Sequence, residues 1–127
     1  MPLPGAQGRD RMHELALTRN VVETVVTESE KAGATRVKTV YLVIGYARDI
    51  IDDLFEGCFE FLSRGTVAHG AELVIERIPL TVRCNGCGMV YHIDVRNEET
   101  WPCPRCKERD YRVNSGMEFY ISRIEVE

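Results

Sequence analysis

Cys84-Asn85-Gly86-Cys87 and Cys103-Pro104-Arg105-Cys106 stand fifteen residues apart in a chain of 127. Two residues between the cysteines of a pair let both sulfurs of one short turn point at a single centre. The fifteen intervening residues allow a strand out and back, which brings the two pairs together. Gly86 and Gly88 relax the backbone around the first turn, and Pro102 and Pro104 shape the second. Four thiolates at tetrahedral corners suit zinc, at sulfur distances of about 2.3 Å. The C-x2-C-x15-C-x2-C spacing is that of a zinc ribbon. The pattern holds no spare ligand and leaves no open position, so Cys84, Cys87, Cys103 and Cys106 read as a structural site. The ion replaces a core that roughly thirty residues do not build alone. Two other readings stay open: iron in the same four-sulfur geometry, and free or redox-active cysteines. A thioredoxin-type role fits poorly, since it asks for one such pair beside a βαβ pattern.

Outward from the cysteines, the chain changes character on both sides. Leu80 to Val113 is poor in apolar residues and rich in Cys, Gly, Pro and Asn. Before it, Glu72 to Ile78 reads as a strand closed by Pro79, and after it Met117 to Val126 reads as another. Further upstream, Asp49 is placed to cap a helix from about Ile50 to Ser63, with Ile51, Leu54, Phe55, Cys58, Phe59 and Leu62 as its apolar stripe. Arg36 to Ile44 is dense in β-branched and aromatic residues, as suits a central strand ended by Gly45. A first helix covers about Met12 to Ala32, with Leu15, Val22, Val25, Val26 and Ser29 on one face. Gly33 stops it, because glycine accepts the left-handed backbone that ends many helices. The order is helix, strand, helix, strand, cysteine module, strand. The fold class is therefore α+β: a small two-helix, three-stranded α/β layer with an inserted zinc-ribbon module. The expected division is a flexible extension at 1–11, an α/β domain at 12–79 plus 114–127, and the ribbon at 80–113.

Composition narrows the function. Lys plus Arg is 16 against 20 for Asp plus Glu, a net charge of −4, which gives no general attraction to nucleic acid or an anionic membrane. Within the ribbon, Arg83, Arg96, Arg105, Lys107, Arg109 and Arg112 stand against Asp94, Glu98, Glu99, Glu108 and Asp110. That balance disfavours a phosphate-binding face. Tyr91, Trp101 and Tyr111 read as packing a small core rather than stacking on bases. No apolar run approaches the roughly 20 residues of a membrane span. Met1 to Arg11 has no apolar signal core, so the expected compartment is the cytoplasm, where thiols stay reduced. No Gly-rich phosphate loop and no nucleophile–base signature is present, so the chain does not read as an enzyme.

Met12-His13-Glu14-Leu15 opens the first helix. Further landmarks are Glu30-Lys31-Ala32-Gly33-Ala34, Val43-Ile44-Gly45, Gly65-Thr66-Val67-Ala68-His69-Gly70-Ala71, the four cysteines with Pro104, and Ile124-Glu125-Val126-Glu127. On these, the stretch from Met12 to Glu127 resembles the HypA family, nickel metallochaperones used in maturing nickel–iron hydrogenases. The resemblance implies that His13 is the principal nickel ligand, with Glu14 beside it affecting the site. The chemistry agrees with it. With Met12 as first residue, its free amine, the His13 amide nitrogen and the His13 imidazole form a chelate of adjacent nitrogens that suits Ni(II), and also Cu(II). Eleven residues precede Met12 in this sequence, so its nitrogen is an amide here, which removes one donor. The resemblance further implies transported Ni(II) beside structural zinc, and two partners: an accessory GTPase and the hydrogenase large subunit. The rival readings are a zinc-ribbon adaptor that binds protein or nucleic acid without nickel, and a redox switch built on the cysteine pairs. His69 reads as solvated, and Cys58 as a small core residue. His92 reads as exposed on a ribbon strand, within reach of nickel only if the ribbon swings toward His13. Asp49, Asp52, Asp53, Glu56 and Glu60 read as a solvated helix face.

Overall fold

The structure, a computed structural model, describes residues 11–48 and 50–127, and side chains from Glu14 onward. The extension before Arg11, the Asp49 cap and the side chains of Met12 and His13 lie outside the described residues. Helix α1 runs Arg11–Lys31, strand β1 Val37–Gly45, helix α2 Asp52–Ser63, strand β2 Glu72–Ile78 and the last strand, β6, Phe119–Val126. Between β2 and β6 come β3 Thr81–Cys84, β4 Val90–His92, a 3-10 turn at Glu98–Thr100 and β5 Tyr111–Ser115. The architecture is α+β, as expected: among the described residues, two α-helices and two separate three-stranded sheets.

The chain divides into two compact units. One is built from α1, β1 as far as Val43, α2, β2 as far as Glu76, and β6; the other is Ile44–Arg48 with Arg77–Glu118. In the first, the strand order is β2-β1-β6. Thr35 N–H donates to Glu127 O at one end of the β1–β6 pair and Gly45 N–H to Glu118 O at the other, each at 2.8 Å, so these strands are antiparallel. Tyr46 N–H donates to Ile78 O at 2.8 Å, which sets the carboxyl ends of β1 and β2 side by side. A crossover through α2 produces that alignment. Val40, Leu42 and Ile44 alternate along β1 and are fully buried, and the Phe55 ring of α2 meets Phe119 of β6 edge-on at 6.3 Å.

The buried face of α1 differs from the expected stripe. Leu17, Thr18, Val21, Val22, Val25 and Ser29 are buried, while Leu15 and Val26 are half-buried at its margins. Two of these six are polar, as is the buried Glu14 of the same helix, which blurs the apolar period. Thr18 is accommodated because its hydroxyl donates to Glu14 O one turn back, at 2.7 Å. In α2, Phe55 and Phe59 are buried, Leu54, Cys58 and Leu62 are half-buried, and Ile51 is exposed at the N-cap.

The second unit holds the other sheet, in the order β4-β3-β5, with both pairs antiparallel. Its core is Val82, Cys84, Tyr91 and Cys103, with Met89, Ile93 and Tyr111 packed against it. The expected strand out is β4. The return is not a strand but a pinned loop: Trp101 Nε1 donates to Asp94 O at 3.0 Å and Tyr91 OH to Trp101 O at 2.7 Å. The unit's entry and exit lie together. Ala47 N–H donates to Gly116 O at 2.9 Å, and Ser115 Oγ donates to Pro79 O at 2.8 Å. A Cβ on Gly45 would overlap the Gly116 carbonyl, and one on Gly116 would come within 2.6 Å of Leu80 Cα, so two glycines permit this crossing.

Candidate metal centre

Both Cys-x-x-Cys turns fold alike. In the first, Gly88 N–H donates to Cys84 O at 2.9 Å and Cys84 N–H to Met89 O at 2.8 Å. In the second, Lys107 N–H donates to Cys103 O at 2.9 Å and Cys103 N–H to Glu108 O at 2.8 Å. The residue after each second cysteine is left-handed, Gly88 at φ 79° and Lys107 at φ 68°. Glycine takes that backbone without strain, and lysine is held in it by the turn. The first turn begins at the end of β3, and the second is set by the Trp101 loop.

This arrangement puts the sulfurs in a cluster. Cys84 Sγ lies 3.5 Å from Cys106 Sγ, Cys87 Sγ lies 3.6 Å from Cys103 Sγ, and all four fall within 4.8 Å of one another. Zinc–sulfur bonds of about 2.3 Å at tetrahedral angles ask for sulfurs about 3.8 Å apart, so the set fits a four-thiolate zinc ion. Cys84 and Cys103 are buried, Cys87 is half-buried and Cys106 exposed. Gly86 N–H points at Cys84 Sγ at 3.3 Å, a donor that favours the thiolate. The Cys103 thiol is held down to about 6, first by the backbone N–H of Cys106 and then by that of Arg105, against the opposing effect of burial. At Cys106 the backbone N–H of Glu108 favours the thiolate, but the Cys84 sulfur, burial and the Cys103 and Cys87 sulfurs outweigh it and push the thiol up to about 12. Four sulfurs this close do not all ionise without a cation among them.

Among the described residues, these cysteines are the one set of three or more His, Cys, Asp or Glu side chains placed to share an ion. His92 is exposed at the end of β4. His69 is also exposed, with Nε2 3.4 Å from Glu60 Oε1. Cys58 is half-buried, and its thiol is pushed up by burial and then by the charge of Glu14. His13 and Met12 lie in the first turn of α1. Glu14, which follows them, is buried, and its Oε1 accepts the N–H of Ile51, the N-cap of α2, at 3.3 Å. No motif or periodicity signals that contact across 37 positions. A groove of about 270 Å³ between α2 and the start of β2, lined by Glu56, Glu60 and Glu72, is acidic.

Comparison with known proteins agrees with this geometry. Residues 12–126 match the family described as hydrogenase/urease nickel incorporation, metallochaperone, hypA. The chain belongs to the HypA family. The hydrogenase maturation factor HypA of Dehalococcoides mccartyi (strain CBDB1) is 39% identical over 116 residues, covering 91% of this chain and 95% of that protein. The Pyrococcus furiosus HypA is 35% identical over an alignment of 134 positions, covering 91% and 96%. The solution structure of the Ni metallochaperone HypA from Helicobacter pylori matches with a TM-score of 0.62 at 19% identity, over 89% of this chain and 96% of that one. A second HypA solution structure matches with a TM-score of 0.68 at 21% identity, over 91% and 96%. These two establish a shared HypA fold. No described helix is long and apolar enough to cross a membrane.

Proposed function

We propose that this chain is a nickel metallochaperone for hydrogenase maturation, which binds Ni(II) at the start of α1 and holds its ribbon with zinc. The observation that carries the reading is the HypA-family match over residues 12–126, which begins at Met12-His13-Glu14. Within it, His13 is the principal nickel ligand, through its imidazole and its amide nitrogen. Met12 adds a third nitrogen when its amine is free. An imidazole beside a deprotonated amide suits a planar Ni(II) site, and a short chelate from one chain end is easily surrendered, as delivery requires. Glu14 acts by holding the first turn of α1 through the Ile51 amide. Zinc, when bound by Cys84, Cys87, Cys103 and Cys106, supplies the crosslink that the small ribbon core needs.

The functional division that follows is a nickel-binding α/β domain at 12–79 plus 114–127 and a zinc-ribbon domain at 80–113. The partners are an accessory GTPase and the hydrogenase large subunit, met in the cytoplasm. The chain has no Gly-rich phosphate loop, so nucleotide hydrolysis falls to the partner.

The test is nickel calorimetry on four zinc-loaded proteins: the chain from Met1, the chain from Met12, and each with His13→Ala. Tight binding that His13→Ala abolishes is the expected result. Tighter binding by the Met12 form identifies the free amine as a donor, and equal binding discards it. Nickel binding that survives His13→Ala moves the site elsewhere, and no binding by any form favours the zinc-ribbon adaptor.

A further inference from the structure

The outer face of the ribbon sheet carries an arginine pair that has no ion-pair partner among the described residues. The register sets Arg83 of β3 opposite Arg112 of β5 and opposite Val90 of β4, so the three side chains form one row across the sheet. Thr81 and His92 form the next row on the same face. Their alternates, Val82 and Tyr91, point into the core. Arg112 and His92 are exposed, Arg83 is half-buried, and Val90 is 39% exposed.

Like charges directly opposite on paired strands oppose folding. Among the described residues, neither arginine forms an ion pair. Arg83 Nη1 donates to Gly88 O at 3.0 Å, and Arg112 Nη1 donates to Asn85 Oδ1 at 2.5 Å. Asp110 is engaged by the same asparagine, whose Nδ2 donates to Asp110 Oδ1 at 3.0 Å. The row therefore keeps two adjacent cations, beside one exposed apolar side chain, in a protein of net charge −4. Beside it, β5 is an edge of the three-stranded sheet, with Val113 53% exposed. An edge strand offers main-chain groups to an extended segment.

We propose that this face docks a short acidic segment of a partner protein, laid along β5 as an added strand with its carboxylates turned to the Arg112–Arg83 row. Planar guanidinium groups match carboxylates in two-point contacts. An extended phosphate backbone fits less well, because it offers no main-chain N–H and C=O groups to pair with the β5 edge. A second copy of this chain also fits less well. Its own alternating acidic end is occupied in β6, where Glu127 O accepts Thr35 N–H and Glu125 accepts the Tyr41 hydroxyl. The inference does not depend on nickel being the cargo.

The experiment is an amide-resonance titration of the zinc-loaded full chain with the peptide acetyl-Glu-Val-Glu-Val-Glu-amide. Saturating shifts are expected in residues 81–84, 90–92 and 111–115. Arg112→Glu and Arg83→Glu weaken binding about tenfold or more, while Arg19→Glu on exposed α1 leaves it unchanged. Arg112→Gln, which removes charge without reversing it, weakens binding by a smaller factor and covers the case in which Arg112→Glu disturbs the sheet. The proposal is overturned by any of four outcomes: no saturating shift in these strands, an equal loss with Arg19→Glu, equally tight binding of a single-stranded DNA oligonucleotide at the same row, or the same shifts on raising protein concentration without peptide.

Discussion

Glu14 Oε1 accepts the backbone N–H of Ile51 at 3.3 Å, so a side chain in the first turn of α1 holds the entrance of α2. A carboxylate also suits the positive end of a helix. Glu14→Ala leaves that half-buried amide without this acceptor and lowers stability by about 1–3 kcal/mol, while Glu14→Gln costs less because it keeps an oxygen there. Urea denaturation of the zinc-loaded chain measures both. An unchanged midpoint for Glu14→Ala shows that the contact carries no stability.

The ribbon core is small and two of its four members are metal-site cysteines. Removing the ion therefore removes most of what holds β3, β4 and β5. Chelation, or Cys103→Ser, is expected to collapse the amide dispersion of residues 81–115 while α1, α2 and β1 keep theirs. Zinc stoichiometry falls from one per chain to none. A ribbon spectrum that survives confirmed metal loss contradicts the structural role of the site. If Cys84→Ser also weakens nickel binding, the two metal sites are coupled.

Gly45→Ala places a methyl group into the Gly116 carbonyl. Neither partner yields easily, because Gly45 N–H is bonded to Glu118 O and Gly116 O to Ala47 N–H. The substitution is expected to cost roughly 3 kcal/mol or more, beyond ordinary overpacking. Gly57→Ala, at a helical position where a Cβ meets nothing within 4 Å, is the control and stabilises slightly. Thermal melting of the two variants separates the effects.

The Tyr41 hydroxyl donates to Glu125 Oε1 at 2.7 Å and is the main cause that lowers the Glu125 carboxyl below the usual range, with burial opposing and Arg123 adding to it. A carboxyl lowered on folding contributes stability above its unfolded value and loses that contribution as pH falls through the lowered one. Tyr41→Phe is therefore slightly destabilising at neutral pH, and the difference from the parent vanishes in acid. Carboxyl titration by NMR checks the cause, with Glu125 expected to move back up in the variant.

The four cysteines were legible because their chemistry is encoded in spacing alone. β2 was legible to the residue, since Pro79 ends it and the apolar Leu73, Val74 and Ile75 mark its body. The buried face of α1 was only partly legible. It includes Glu14, Thr18 and Ser29, whose burial depends on contacts that a hydrophobic pattern does not record. The three ribbon strands escaped as separate elements because β4 has 3 residues and β3 has 4, too short to establish a period. The Arg83–Arg112 pairing escaped for a related reason. It depends on a register between segments 29 positions apart, and a charge count of that region merely balances.

The bond from Ser115 Oγ to Pro79 O closes the neck of the inserted ribbon. A segment whose two ends already touch behaves as a detachable cassette. Its loss or exchange leaves a gap that a short turn can bridge, so β2 and β6 keep their places in the first sheet. Tension drawn along the chain passes from Pro79 to Ser115 across the neck and leaves the metal-bound loop slack.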